Sequence, residues 1–192
     1  MRQCCYCSST KHVAARLHHC FGFDVFRYCV FTDGVFEMLS KAFAASDCIV
    51  ITDTHALHNM IRTTCKNRCV KVFCIAGLWK ASPIAGCAKS CIQIDVWISL
   101  LTVLAYKQII LVIGTAPTTA LRGLEAVVNN SGKVPILITC PVGIVNASAA
   151  KTCLRFNRLR LSYCMLRGKL GGLAFAAAVI NGVICNRSNT TN

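Results

Sequence analysis

Acidic residues are scarce: seven Asp and Glu stand against 21 Lys and Arg in 192 residues, a formal charge of +14, and none follows Glu125. Acid/base chemistry by paired carboxylates is therefore thinly supplied, and the pattern picks out no Ser/His/Asp triad. A long apolar run is missing too. A spanning helix needs about 20 apolar residues, whereas the longest uncharged stretches, 134–150 and 170–186, are shorter and are broken by Pro135 and Pro141 in the first and by Gly171, Gly172, Asn181 and Gly182 in the second. No membrane span is expected. Met1 leads into Arg2, Cys4, Cys5 and Cys7 rather than an apolar segment, so no secretory leader is expected and the chain reads as cytoplasmic. Linkers rich in Pro, Gly and Ser are absent, as are internal repeats. The expectation is one domain over 1–192, with a loose polar tail at 186–192.

What is present is apolar and cysteine-rich. Hydrophobic residues make up 55% and charged residues 15%, too apolar a mixture for a disordered chain. The 15 cysteines are odd in number and irregular in spacing, which argues against a disulfide framework. Cys29, Cys48, Cys74, Cys140 and Cys164 lie in or beside apolar runs and read as reduced core fillers. Cys4, Cys7, His19 and Cys20 could form a zinc site, but the adjacent second pair suits a tetrahedron poorly, and no metal is assigned. Lys133, Lys151, Arg155, Arg158, Arg160, Arg167, Lys169 and Arg187 follow the last acid, so the C-terminal third should carry a positive field suited to polyanions.

Short Val- and Ile-rich runs alternate with segments of helical spacing, the pattern of a parallel sheet. Strands are expected at 48–51, 69–75, 109–113, 134–139 and 161–166, and helices at 11–20, 35–45, 92–106, 118–129, 147–155 and 173–184. The fold class is α/β: a single domain with a mainly parallel, doubly wound sheet flanked by helices. In such sheets ligands sit at the carboxyl ends of strands. Three predicted strands end in small-residue turns there: Gly114-Thr115-Ala116-Pro117-Thr118, Pro141-Val142-Gly143, and Arg167-Gly168-Lys169-Leu170-Gly171-Gly172. The last joins two cations to a predicted helix N-terminus, an arrangement suited to carboxylate or phosphate. It is neither a Walker loop nor a dinucleotide fingerprint. His18 and His19 are adjacent on a predicted helix and diverge by about 100°, so only one can face a given site.

At these residues the chain resembles the precorrin-8X methylmutase family of cobalamin biosynthesis. The 114–118 turn followed by Glu125 is similar to the family's G-N-A-P-T and glutamate, with Thr115 in place of asparagine. The 141–151 segment, ending at Lys151, is similar to P-V-G-F-V-G-A-A-E-S-K, and 167–181 to R-G-R-x-G-G-S-A with its alanine-rich helix. Arg16-Leu17-His18-His19-Cys20-Phe21-Gly22 fits R-x-x-H-x-x-G, Asp53 fits the aspartate of a D-x-x-M-V segment, and Lys89-Ser90 fits an R-S pair. The resemblance covers roughly residues 13–184. Departures stand at Ala56, Met60, Ala149 and Leu173, and the N-terminal region is shortened relative to the family pattern.

The resemblance implies an isomerase that moves a methyl group from C-11 to C-12 of a contracted tetrapyrrole, with no cofactor and no metal. It places the general acid on His19. Substrate binding falls to Arg16, Asp53, Lys89, Ser90, the turn residues Gly114, Thr115, Ala116, Pro117 and Thr118, then Pro141, Val142 and Gly143, and the loop residues Arg167, Gly168, Lys169, Gly171 and Gly172. The implied partners are a tetrapyrrole bearing several carboxylates and a second copy of the chain, a homodimer, with neither nucleic acid nor membrane. A tetrapyrrole carrier without turnover is an alternative, and a basic zinc- or nucleic-acid-binding protein a further one. Neither a reductant nor a zinc chelator is expected to lower the melting temperature. A sharp chelator-induced loss in a thermal melt would instead establish the Cys4/Cys7/His19/Cys20 site.

Overall fold

The computed structural model describes residues 8–46, 48–77, 89–103, 108–129, 136–143, 146–156 and 161–185. Cys4 and Cys7, the tail at 186–192, and the cations Lys133, Arg158, Arg160 and Arg187 lie outside the described residues.

Apolar runs without polar alternation fit only a sheet covered on both sides, and the strands are built from them. β1 (Cys29–Phe31), β2 (Cys48–Thr52), β3 (Lys71–Cys74), β4 (Gln108–Ile113), β5 (Ile136–Thr139) and β6 (Tyr163–Leu166) form one sheet in the order β1-β6-β5-β4-β2-β3. All neighbours are parallel except β1, which runs antiparallel along β6. Every residue of β2 and β5 is buried.

Helices cover both faces: α1 (Ser8–Phe21), α2 (Val35–Ala45), α3 (His55–Lys66) and α7 (Leu173–Cys185) on one side, α4 (Lys89–Val103), α5 (Pro117–Asn129) and α6 (Ala147–Phe156) on the other. Alternate strand residues divide between the two cores. Val50, Ile110, Val112 and Ile138 join Leu17, Leu39, Leu57 and Phe175, whereas Ile49, Ile51, Leu111 and Ile113 join Ile94, Trp97 and Leu154. On the second face Arg122 grips Asp95 through Nε at 2.8 Å and Glu125 through a terminal nitrogen at 2.8 Å, tying α5 to α4. Glu125 is thus one partner in a structural clamp.

α7 is apolar all round because it lies between the sheet and α1, α2 and α3. Its 13 residues span about 20 Å, and no helix among the described residues is long and apolar enough to cross a membrane. Gly182 permits the tightest part of this packing: a Cβ there would stand 3.1 Å from the Val13 Cα. Further along, the Phe21 and Phe175 rings meet at 6.5 Å. Together these contacts run α1 antiparallel to α7 and carry the His18-His19 end of α1 to the first turn of α7.

Two elements differ from the sequence expectation by being additional. α3 turns only Leu57, Ile61 and Cys65 inward, a stripe one residue wide, and is otherwise mostly polar, with Ala56 and Met60 exposed. Its start is nonetheless marked by Thr54, whose side chain accepts from the Leu57 amide at 3.3 Å. β1 is three half-buried residues, too short to show a period. The five cysteines expected as core fillers are buried or half-buried. Cys65 is buried as well, whereas Cys20, Cys69, Cys153 and Cys185 are exposed, and no disulfide joins any two of the described cysteines. Burial pushes the thiols of Cys29 and Cys65 up to about 12, with smaller contributions from Asp24 and Cys48 respectively. Such thiols are inert packing groups at neutral pH.

Replacing Gly182 with Leu should wedge α1 away from α7. A destabilisation on the order of 2–3 kcal/mol is expected, read as a fall in melting temperature of roughly 4–12 °C.

Candidate functional site

The chain winds outward from β2 through α3 to β3, then crosses back through α4 to β4 and continues the other way through β5 and β6. The winding therefore reverses between β2 and β4. In doubly wound sheets the crevice outside the carboxyl ends at such a reversal is where ligands bind, and Asp53 and the 114–118 turn stand there.

Asp53 follows the last residue of β2 and is 9% exposed. Its Oδ2 accepts hydrogen bonds from the amides of Gly114 (3.1 Å), Thr115 (2.8 Å) and Ala116 (3.4 Å) and from the Thr115 hydroxyl (2.8 Å). A carboxylate of the chain thus occupies the amide cluster that opens α5, the place an anionic ligand would otherwise take. Thr115, where the family pattern has asparagine, keeps a side-chain donor for this carboxylate. The sequence reading had Asp53 touching substrate; the structure gives its Oδ2 to the loop and leaves Oδ1 buried with no hydrogen-bond partner among the described residues. The turn also packs tightly from behind: a Cβ on Gly114 would lie 2.8 Å from the Leu173 Cδ2.

The 167–172 loop is anchored on the end of β5. The Gly172 amide donates to the Cys140 carbonyl at 2.8 Å, and a Cβ on Gly171 would stand 2.3 Å from that same oxygen. Only glycine fits at that approach, and Gly172, at φ +112°, holds a conformation that side chains rarely adopt. The Gly172 N–H, just ahead of α7, therefore already has its acceptor. Arg167 and Lys169 remain exposed. Arg167 also borders an open cleft of about 530 Å³ with Phe26, Phe31 and an Arg27 that is itself paired to Asp24 at 2.8 Å. Lys151 is a second correction: counted from sequence as part of a surface field, it is 3% exposed and donates to the carbonyls of Gly168, at 2.9 Å, and Leu170.

The remaining expected residues border the same edge. Lys89 is exposed and, with Ser90, opens α4; the Cys91 thiol reaches the Thr118 carbonyl at 3.8 Å, which sets that helix start beside the 114–118 turn. Pro141 is buried, while Val142 and Gly143 are exposed after β5. His18 and His19 are both exposed on α1. Arg16 and His19 share a stripe at i, i+3, and the Arg16 Cβ would lie 3.4 Å from a Cβ on Gly182, so this stripe borders α7. Arg16 sits one turn back from the edge, farther from the loops than His19. Phe23, Val142 and Leu170, all exposed, supply apolar surface on the bordering elements. The edge therefore combines exposed cations, apolar side chains and an imidazole over a floor of hydrogen-bonded backbone.

The sequence reading gave Lys151 no role at the site. Ala147, Lys151 and Leu154 follow i, i+4, i+7 on α6, so the same helical spacing that marks the buried face also marks this lysine.

The family model for CbiC, precorrin-8X methylmutase, matches residues 5–186, and the chain belongs to that family. Precorrin-8X methylmutase of Pseudomonas aeruginosa is 35% identical over 78 residues, 41% of this chain and 38% of that protein. Cobalt-precorrin-8 methylmutase of Methanocaldococcus jannaschii is 34% identical over 80 residues, 42% of this chain and 37% of that protein. The matched stretch thus spans well under half the length of these curated relatives. Among solved structures, the precorrin-8X methylmutase of Thermus thermophilus superposes with a TM-score of 0.75 at 19% identity, covering 94% of this chain and 87% of that one. A precorrin-8X methylmutase related protein gives 0.73 at 22% identity, over 96% and 95%. Both share the fold.

Removing the Asp53 carboxylate strands four donors at the reversal point. Asp53→Ala is expected to cost on the order of 3 kcal/mol in urea unfolding, and Asp53→Asn, which keeps one acceptor oxygen, less than half of that.

Proposed function

We propose that this chain is an isomerase of corrin-ring biosynthesis, converting precorrin-8X, or its cobalt-containing equivalent, to hydrogenobyrinic acid or the corresponding cobalt product. The observation that carries this reading is convergence: three family-like turns and the histidine end of α1, drawn from opposite ends of the chain, border one edge of the sheet. The net reaction is an intramolecular rearrangement. A methyl group leaves C-11 and bonds to C-12, with no net electron gain or loss.

The parts at the edge suit such a substrate. A contracted tetrapyrrole has broad apolar faces and several carboxylates, which match exposed Val142 and Leu170 and the exposed cations Arg167, Lys169 and Lys89. Asp53 already fills the α5 amide cluster, so the substrate's carboxylates fall to these side chains. His19 acts as general acid, protonating the conjugated system as the methyl migrates. Such an acid supplies about 10²- to 10⁴-fold, and holding the ring in a migration-ready shape supplies much of the rest. In a single chain His19 is open to water, and a homodimer that brings a second copy over the edge accounts for how the site is closed.

Incubation with precorrin-8X, followed by the visible spectrum, tests the reading: appearance of the corrin product supports it, and tight binding without conversion would identify a carrier instead. His19→Ala is expected to lower turnover by about 10²- to 10⁴-fold while leaving pigment affinity within about threefold. His18→Ala should change turnover only a few-fold, and the reverse ranking would move the general acid to His18.

A further inference from the structure

We propose that Lys151 is the positioning residue of the 167–172 loop, holding Arg167 and Lys169 where they meet substrate carboxylates. The proposal rests on the substrate class inferred above. Lys151 is the one buried cation among the described residues. Lysine is almost never fully buried unless its charge is satisfied, and here the satisfaction comes from the loop: Nζ donates to the carbonyls of Gly168 and Leu170.

Those two carbonyls flank Lys169. Turning both inward onto one ammonium bends the backbone around it, and the side chains of Arg167 and Lys169 are left exposed. Gly168, at φ +62°, is the residue in the loop that accommodates the bend. The other end of the loop is fixed separately, by the Gly172 amide on the Cys140 carbonyl. Cys140 is itself fully buried in the core between the sheet and α7, so this second anchor belongs to the core. The loop thus has one anchor in the strand layer and one in α6.

An apolar residue at 151 would fill the same space and leave two carbonyls without donors. Burial already draws the lysine's pKa down from its usual value, and exchanging it for a hydrophobe would relieve that desolvation cost. An ammonium at this position is therefore explained by loop geometry better than by core stability. Arginine is a poor substitute, because its planar fork is larger and presents donors in a fixed arrangement.

The test compares Lys151→Met with Lys151→Gln, which keeps an uncharged N–H donor group, in the full chain. Three readouts are taken: hydrogen exchange of residues 167–172 by mass spectrometry, affinity for precorrin-8X with its salt dependence, and kcat. In Lys151→Met exchange in the loop should rise about tenfold or more while the rest of the chain is unchanged. Pigment affinity should fall about tenfold, with kcat within about threefold. The salt dependence of binding should flatten, since two cations no longer converge on the carboxylates. Lys151→Gln should recover part of each. Unchanged loop exchange and affinity in both variants would overturn the proposal. So would exchange rising throughout the chain with kcat and affinity falling together, the signature of a general stability loss. If the wild-type chain fails to bind precorrin-8X while Lys151→Met still loosens only the loop, the substrate reading is wrong and the loop assignment is supported.

Discussion

Parallel strands end together, and the chain must leave that edge through loops whose amides have lost their ladder partners. In this protein the problem is most acute where the winding reverses, between β2 and β4, and a single oxygen, Asp53 Oδ2, meets it by accepting from three amides and a hydroxyl. With that group in place the start of α5 is fixed, Gly114 can pack against Leu173, and the first turn of α7 is positioned. The Cys140 carbonyl performs the equivalent task one strand further along, for the Gly172 amide. Most of the site is thus a set of backbone groups satisfied from inside, over which a few exposed side chains are free to act.

Charge follows the same division. The chain carries +14 overall, but its cations are of different kinds. Arg122 is neutralised by Asp95 and Glu125, and Arg27 by Asp24; Lys151 is enclosed. Arg167, Lys169 and Lys89 are exposed at the strand ends. A uniform positive field would attract polyanions without preference. Exposed cations set among apolar side chains at one edge are instead what the proposed anionic, broad-faced substrate requires.

Much of the architecture is legible in the sequence because its signals are local. Continuous Val and Ile runs mark β2, β4 and β5, and the sharp change from apolar run to small-residue turn marks the carboxyl ends of β4, β5 and β6. α3 and β1 were not legible for the same reason: a stripe of three inward residues and a strand of three residues carry too little period to detect. At the candidate site, motif and order could nominate the turns and the histidine helix, whereas the hydrogen-bond partners of their polar groups were not legible. That the Asp53 carboxylate lies on amides some 61–63 positions away, or that Lys151 reaches back to carbonyls beyond its own helix, depends on tertiary approach that no window of sequence contains. The helical spacing of Lys151 with Ala147 and Leu154 was the one available clue.

The antiparallel pairing of α1 with α7 has a consequence for how the molecule comes into being. Val13 rests on Gly182 and Phe21 on Phe175, so α1 has its principal neighbour in α7, the helix farthest from it in sequence among the described residues. β1 likewise waits for β6. α1 also meets α2, but its apolar stripe is covered in full only once α7 has been placed. Contacts of such long sequence separation form late and slowly. The pairing of α1 with α7 is thus among the last contacts to form, and the position of the whole His18-His19 end of α1 depends on it.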